Sequence, residues 1–180
     1  MKWMVASDIH GSAYYCEKML EAYRTEKAEK LVLLGDLLYH GPRNDLPKDY
    51  APKRVIAMLN EFSDELLCVR GNCEAEVDQM VLNFPVMADY AVFYIGDTLY
   101  FATHGHRFNK ETPPCLKEGN VLLHGHTHVV ADEICTAEGP KGKYSYRYIN
   151  PGSVSIPKEN TPHGYIILTE EGVEFKMLEP

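Results

Sequence analysis

The sequence predicts an α/β fold in which two β-sheets pack against each other, and three observations carry that prediction. The first half repeats, three times, an apolar run, a polar loop and a helical pattern. That rhythm marks buried parallel strands. The second half, from Tyr90 onward, consists of extended runs joined by turn residues. At 180 residues, with 45% of them hydrophobic, the chain suits one domain with a sizeable core.

Taken in order, Trp3–Ala6 is a buried strand and Asp8-Ile-His-Gly-Ser12 its loop. Tyr15, Cys16, Met19, Leu20 and Tyr23 fall at helical spacing between Ala13 and about Lys27, with Ser12 placed as the N-cap. Leu31–Leu34 is a second strand ending in Gly35-Asp36. The stretch from Leu37 to Pro52 holds three prolines and Gly41, and reads as a long ordered loop of the functional kind. Val55, Ile56, Leu59 and Phe62 mark a second helix. Leu66–Val69 is a third strand and runs into Arg70-Gly-Asn-Cys-Glu74. Glu76 to Leu82 forms a short helix, closed by Pro85.

Beyond it, Tyr90–Ile95 and Thr98–Thr103 meet at Gly96-Asp97, a hairpin signal. The apolar run Val121–Leu123 ends at His124. Val129–Thr136 and Lys143–Ile149 flank Gly139-Pro-Lys-Gly142, and Gly164–Thr169 and Val173–Met177 flank Glu170-Glu-Gly172. This half reads as mainly antiparallel. Tyr144, Tyr146 and Tyr148 alternate along one strand face and suit packing against the core or a subunit partner. No linker, repeat or low-complexity tract divides the chain, so residues 1–180 are expected to form a single domain.

The charge balance narrows the partners. A net charge of −8 argues against a broad electropositive surface for long nucleic acid or anionic membrane. A phosphate-bearing substrate stays compatible, because a bound metal would reverse the local sign. No apolar run approaches the roughly 20 residues of a spanning helix, and the N-terminus enters a strand without a signal peptide's apolar region. The expectation is a soluble cytoplasmic protein. Five scattered cysteines with no C-x-x-C pattern suit reduced thiols, not a thiolate zinc site.

The chemistry sits where apolar runs stop. Asp8 and His10, then Asp36, Asn72, His104, and His126 with His128 each follow such a run directly. That is the strand end at which open α/β sheets bind ligands. Five of the eight histidines lie between positions 104 and 128. Alternation lets His126 and His128 face one target. Seven oxygen or nitrogen donors exceed what one metal with open positions needs. Two metals about 3.5–4 Å apart, a common device of phosphate-ester chemistry, need about that many. Imidazole, carboxylate and amide together suit Mn²⁺, Fe²⁺, Zn²⁺ or Co²⁺.

Asp8-x-His10, Gly35-Asp36, Gly71-Asn72, His104 and Gly125-His126-x-His128 resemble, in order, the five motifs of the calcineurin-like metallophosphoesterases. The resemblance spans nearly the whole chain. More closely, Ser7-Asp-Ile-His-Gly-Ser12, His40-Gly-Pro-Arg-Asn44, Val69-Arg-Gly-Asn-Cys73, Glu76-Val-Asp-Gln-Met80, Thr103-His-Gly-His106 and Asn150-Pro-Gly-Ser-Val-Ser-Ile-Pro157 are similar to the YfcE-type phosphodiesterases. This resemblance implies a four-layer fold, two mixed sheets sandwiched between helices. It implies two divalent ions per chain, Mn²⁺ foremost, with Fe²⁺, Zn²⁺, Co²⁺ or Ni²⁺ as alternatives. Asp8, His10, Asp36 and His128 would hold one ion. Asp36, Asn72, His104 and His126 would hold the other, Asp36 bridging with one oxygen toward each. The implied activity is hydrolysis of small phosphodiesters by a metal-activated water; a homo-oligomer, dimer or tetramer, is a separate expectation that the sequence leaves open.

The sequence departs from the broad family after Gly71-Asn72. Most members carry His there, and this chain, like the YfcE-type subgroup, carries Cys73. A neutral thiol replaces an imidazolium acid poorly. Cys73, His106 and Arg43 are the catalytic candidates, and His40, Arg43, Asn44 and His106 the substrate-binding ones. Cys73 also suits a plain space-filling role. Arg70 suits a structural salt bridge, His124 a supporting role, and His163 a surface loop. The glycine of Asn150-Pro-Gly-Ser153 would allow close backbone approach near the metals. A second reading is a metal-binding protein-interaction scaffold of the same fold, and a third a phosphomonoesterase or nuclease. Seven metal-competent positions favour the enzyme.

Overall fold

The computed structural model describes residues 1–178; Glu179 and Pro180, the end of the expected domain, lie outside them. Its first half follows the expected rhythm. Strand β1 (Lys2–Ala6) leads to helix α1 (Ala13–Glu26), β2 (Lys30–Leu33) to α2 (Pro52–Asn60), and β3 (Leu66–Cys68) to the short α3 (Glu76–Val81). β2 pairs in parallel with both β1 and β3. The local chemistry fits each boundary. Ser12 caps α1 by accepting a hydrogen bond from the Tyr15 amide, and Lys27 ends it in the left-handed conformation. Pro52 opens α2, where its missing N–H costs nothing.

The second half holds β4 (Tyr90–Ile95), β5 (Thr98–Thr103), β6 (Val121–Leu123), β7 (Val130–Gly139), β8 (Gly142–Pro151), β9 (Gly164–Thr169) and β10 (Gly172–Met177). Two features differ from the expected antiparallel half. β6 runs parallel to both its neighbours, β5 and β8. The final hairpin leaves that half altogether, since β9 pairs antiparallel with β1. The result is two mixed five-stranded sheets, ordered β10-β9-β1-β2-β3 and β4-β5-β6-β8-β7.

Alternation sorts the apolar side chains. Met4 and Ala6 turn toward α1 and α2 and join Leu31, Leu33, Met19, Leu20, Val55 and Leu59. Val5 turns the other way, into a core of Val32, Leu34, Val69, Ile166 and Leu168 from the first sheet and Phe93, Tyr100, Ala102, Leu123 and Ile149 from the second. The outer face of the second sheet carries no helix among the described residues. Leu122, Tyr146 and Tyr148 pack there under Leu116 of the 104–120 segment, so those tyrosines serve the core.

One ion cluster ties α1 to the first sheet. Glu26 accepts from Lys2 Nζ (2.6 Å), Lys176 Nζ (2.7 Å) and the Tyr165 hydroxyl (3.2 Å). Hydrogen bonds from Lys176 and Lys2 lower its pKa from 4.5 to about 2. Stability from a depressed carboxylate is present above the unfolded value and lost as pH falls through the folded one. Glu26→Gln is therefore expected to lower stability at pH 7 by about 1 kcal/mol, roughly 2–4 °C in Tm once solvent screening is allowed for. The difference from the unmutated chain shrinks between about pH 4.5 and about 2. Melting curves at pH 7 and pH 3.5 that show the same difference would contradict this.

Candidate metal centre

Five strand ends deliver the seven donors. β1 presents Asp8 and His10, β2 Asp36, β3 Asn72, β5 His104, and β6 His126 and His128. The loops after β1 and β2 stay zipped together. The amides of Asp8, His10 and Gly11 donate to the carbonyls of Gly35, Asp36 and Leu37 at 3.1, 2.9 and 2.8 Å. Asp8, His10, Asp36, His126 and His128 all adopt positive φ, between 49° and 65°. For residues with a Cβ that conformation costs on the order of 1–2 kcal/mol each. Five strained residues in one place mean that the surrounding structure over-determines them.

Two of the glycines that leave no room for a side chain lie directly against the aspartates. A Cβ on Gly71 would collide with Asp36 Oδ1, and one on Gly125 with Ser7 Oγ and the Asp8 carboxylate. Gly152, expected near the metals, instead has φ +80° and faces the Val130 side chain.

The donor atoms form two groups. In one, His128 Nε2 lies 3.1 Å and His10 Nε2 3.4 Å from Asp8 Oδ1, and the two nitrogens lie 3.2 Å apart. In the other, His104 Nε2 lies 3.1 Å from Asn72 Oδ1 and 3.2 Å from His126 Nδ1. Asp36 joins them through a single atom: Oδ2 is 3.7 Å from His10 Nε2 and 3.4 Å from His104 Nε2. Oδ1 faces neither group and accepts the Cys73 amide at 2.9 Å. The measured approaches to both groups thus run through Oδ2, where one oxygen toward each ion was the expectation.

Carbonyl groups set the histidine tautomers. Nδ1 of His10, His104 and His128 lies 2.8, 2.6 and 2.7 Å from the carbonyls of Tyr39, Leu34 and Ile156. A carbonyl only accepts, so each Nδ1 carries the hydrogen and Nε2 is the atom left for the site. Burial works to raise the pKa of Asp8, but the close approach and charge of His10, His104 and His128 outweigh it, and it falls well below the ordinary value. Burial lowers that of His104, but Asp36 and Asp8 outweigh it and lift the pKa to about 9. Without a cation, His104 therefore also holds a proton on Nε2, which a cation must displace.

The supporting residues were not singled out from sequence. Glu74 is buried and accepts three amides: Asp36 (2.9 Å) and Gly71 (2.5 Å) on Oε2, and Leu37 (2.7 Å) on Oε1. Burial, then the Asp36 charge, raises its pKa, and the three amides oppose the rise. Ser7 Oγ donates to Asp8 Oδ2 at 2.5 Å, and Ser153 and Ser155 donate to the Asp8 carbonyl at 2.8 and 3.1 Å. A carboxylate two residues past Gly71-Asn72 was the available signal for Glu74, but the pattern does not separate a buried carboxylate from a solvated one.

A cleft of about 290 Å³ opens over the donors. His10, Asp36, Asn72, Cys73, His126 and His128 form its floor, and Gly41, Pro42, Arg43, Asn44, Thr127 and Lys158 its rim. Of the sequence-derived candidates Arg43, Asn44 and Cys73 line this cleft, together with Thr127 and Lys158, which the sequence had not singled out. His40 and His106 do not line the cleft. The His40 ring packs edge-on against Tyr39 and Tyr50, and the His106 ring centre lies 5.5 Å from that of His104. Burial and then the Asp36 charge raise the Cys73 thiol pKa, so it stays neutral. Arg70 reaches the Glu74 carbonyl at 3.2 Å, not a carboxylate as expected. His124 supports the fold, stacked on Tyr148. His163, expected at the surface, stacks on Tyr15 at 3.9 Å and bonds the Val154 carbonyl.

The family model described as the calcineurin-like phosphoesterase superfamily domain matches residues 1–172. The chain belongs to this superfamily. It is 45% identical over 171 residues to "Phosphodiesterase YfcE" of Escherichia coli (strain K12), covering 95% of this chain and 89% of that protein. The solved structure of YfcE, a phosphoesterase from E. coli, matches with a TM-score of 0.90 at 43% identity, over 99% of this chain and 94% of that one. A solved archaeal phosphodiesterase shares the fold at a TM-score of 0.58 and 19% identity, over 98% of each chain.

The superfamily implies divalent metal ions, and the residues of this calcineurin-like phosphoesterase fit them. Asp8 Oδ1 is buried without a hydrogen-bond partner, an arrangement that costs several kcal/mol in a dry site unless a cation completes it. Asp8, His10 and His128, and separately Asp36, His104 and His126, bring their ligand atoms within 4.8 Å of one another.

Proposed function

We propose that this chain is a metal-dependent phosphodiesterase acting on small diesters. Asp8, His10, Asp36 and His128 would hold one divalent cation, and Asp36, Asn72, His104 and His126 a second. The observation that supports this reading is the single Asp36 oxygen shared by two converging donor groups, in a chain 45% identical to a phosphodiesterase. Divalent cations bound there supply Lewis-acid chemistry: they lower the pKa of water and draw charge from phosphoryl oxygens.

The chain's own residues do the rest. The carbonyls of Tyr39, Leu34 and Ile156 hold three imidazoles in the tautomer that leaves Nε2 for the site. Glu74 and the Cys73 amide hold Asp36 in its strained conformation. The guanidinium of Arg43, on the rim, offers a planar fork to two non-bridging phosphoryl oxygens. Cys73 stays a neutral thiol and is a weak donor.

The wider reading is one metallophosphoesterase domain over residues 1–180, Mn²⁺ as the preferred ion, a homo-oligomer and a cytoplasmic location. The −8 net charge supports a small substrate over long nucleic acid. The test is hydrolysis of a bis-aryl phosphate and its matching monoester by metal-stripped protein given Mn²⁺. Activity returns with the metal, and kcat/KM favours the diester by at least about tenfold, or roughly 1.4 kcal/mol. Metal bound with neither ester cleaved would shift the reading to a scaffold of the same fold. A preference for the monoester would make the chain a phosphomonoesterase.

A further inference from the structure

Diester cleavage leaves one need unmet: something must stabilise the oxygen that departs from phosphorus. Most polar groups lining the cleft are already engaged. The Asn72 amide donates to Cys73 Sγ at 3.3 Å and the Asn44 amide to the His40 carbonyl at 2.8 Å. The Thr127 hydroxyl accepts from Asn150 Nδ2 at 3.0 Å and from the Val129 amide at 3.4 Å, which leaves its hydrogen as a neutral donor, weaker toward an oxyanion than a cation. Cys73 is half-buried, and its Sγ is the acceptor of that Asn72 amide. His40 and His106 stand outside the lining. Two cationic side chains remain on the rim, Arg43 and Lys158, and neither forms an ion pair within the described residues.

Their positions and shapes divide the work. Arg43 sits on the loop whose Gly41 lies against Cys73, beside the Asp36 and Asn72 floor. Lys158 stands beside His128. Its amide donates to the His128 carbonyl at 3.0 Å, and Thr161 closes the turn onto the Lys158 carbonyl through its amide (3.0 Å) and hydroxyl (2.8 Å). Glu159 and Asn160, the central residues, both have positive φ. A tight turn thus fixes the Lys158 backbone to a floor residue and leaves the long side chain exposed at the mouth. A planar fork suits a pair of phosphoryl oxygens, whereas a compact ammonium suits a single atom. On the phosphodiesterase reading, attack from the donor side would put the in-line leaving oxygen toward the mouth.

We propose that Lys158 is a catalytic residue of the phosphodiesterase reaction, its ammonium hydrogen-bonding the departing oxygen. This rests on the phosphodiesterase reading. As the oxygen of water bonds to phosphorus, the bond to the leaving oxygen breaks and its electron pair settles there. The ammonium stabilises that oxyanion. A solvent proton then converts it to the free alcohol or phenol, and the proton lost by the attacking water balances the one taken up.

The test is a series of aryl methyl phosphates with phenols from 4-nitrophenol to unsubstituted phenol, given to the Mn²⁺-loaded chain, Lys158→Gln and Lys158→Arg. Metal content and melting temperature are measured alongside. Lys158→Gln is expected to lose about 3-fold on the nitrophenyl ester and about 10²-fold on the phenyl ester, giving a steeper leaving-group dependence. Lys158→Arg, keeping the charge, recovers most of the loss on the phenyl ester. An equal loss across the series, or no loss, overturns the proposal while the phosphodiesterase reading stands. An unmutated chain that cleaves none of the series with any divalent ion removes both.

Discussion

Asp36→Asn empties both metal positions and lowers kcat/KM on diesters by about 10³-fold or more. The reason is that one oxygen, Oδ2, faces both His10 and His104. Oδ1 is held by the Cys73 amide, so the asparagine amide can satisfy that N–H only by keeping its carbonyl there. Its NH₂ then points into the centre, donates toward the imidazole nitrogens and fills the space with the wrong polarity. Metal analysis after dialysis against Mn²⁺ should find well under one ion per chain, against the two that the proposed centre would hold in the unmutated protein. The metal-free variant should melt near the metal-free parent, because the fold around Asp36 keeps its backbone hydrogen bonds. Two retained ions with undiminished activity would mean that Asp36 does not join the sites.

Glu74→Ala is expected to cost about 3 kcal/mol of stability, a fall in Tm of roughly 6–12 °C. The substitution strands three buried N–H donors, those of Asp36, Leu37 and Gly71. Two of them belong to the loop that presents Asp36 and the third adjoins Asn72, so metal affinity drops together with stability. Glu74→Gln keeps the volume but turns one acceptor into a donor that faces another donor. Its loss of stability should fall between the parent and the alanine variant. Thermal melts with and without Mn²⁺ check both effects. A variant that melts within about 2 °C of the parent and binds Mn²⁺ equally well would show that water replaces the carboxylate.

How much of this was legible in the chain differs from one residue to the next. β1, β2 and β3 were readable because each is a short β-rich apolar run that stops at a polar loop. The seven donors were readable for the same reason: strand ends are marked by the change from apolar to polar, and the donors sit directly at that change. Arg43, Asn44 and Cys73 fell where expected because they share loops with donors or directly follow one. His40 and His106 share such loops too, yet lie outside the cleft. Neighbouring positions in a loop face different ways, and sequence does not say which.

Glu74 and Lys158 were missed for a related reason. In sequence each is one more charged residue in a polar stretch. Glu74 becomes an acceptor of three amides only because two loops, 34 positions apart between their nearest members Leu37 and Gly71, close over it. Lys158 becomes a rim residue only because its turn clips onto His128, 30 positions away.

The chain by itself therefore determined the elements of the first half and the class of chemistry, and it pointed to the candidate donor set, because these depend on local alternation and on residue type. Folding in three dimensions decided the partnerships. β6 lies parallel between β5 and β8, and the β9–β10 hairpin crosses to the first sheet beside β1. Period-two alternation marks a strand but does not name its neighbour, because pairing is chosen by long-range packing. The same holds at the metal centre: a single carboxylate oxygen is shared because an amide from a distant loop claims the other one.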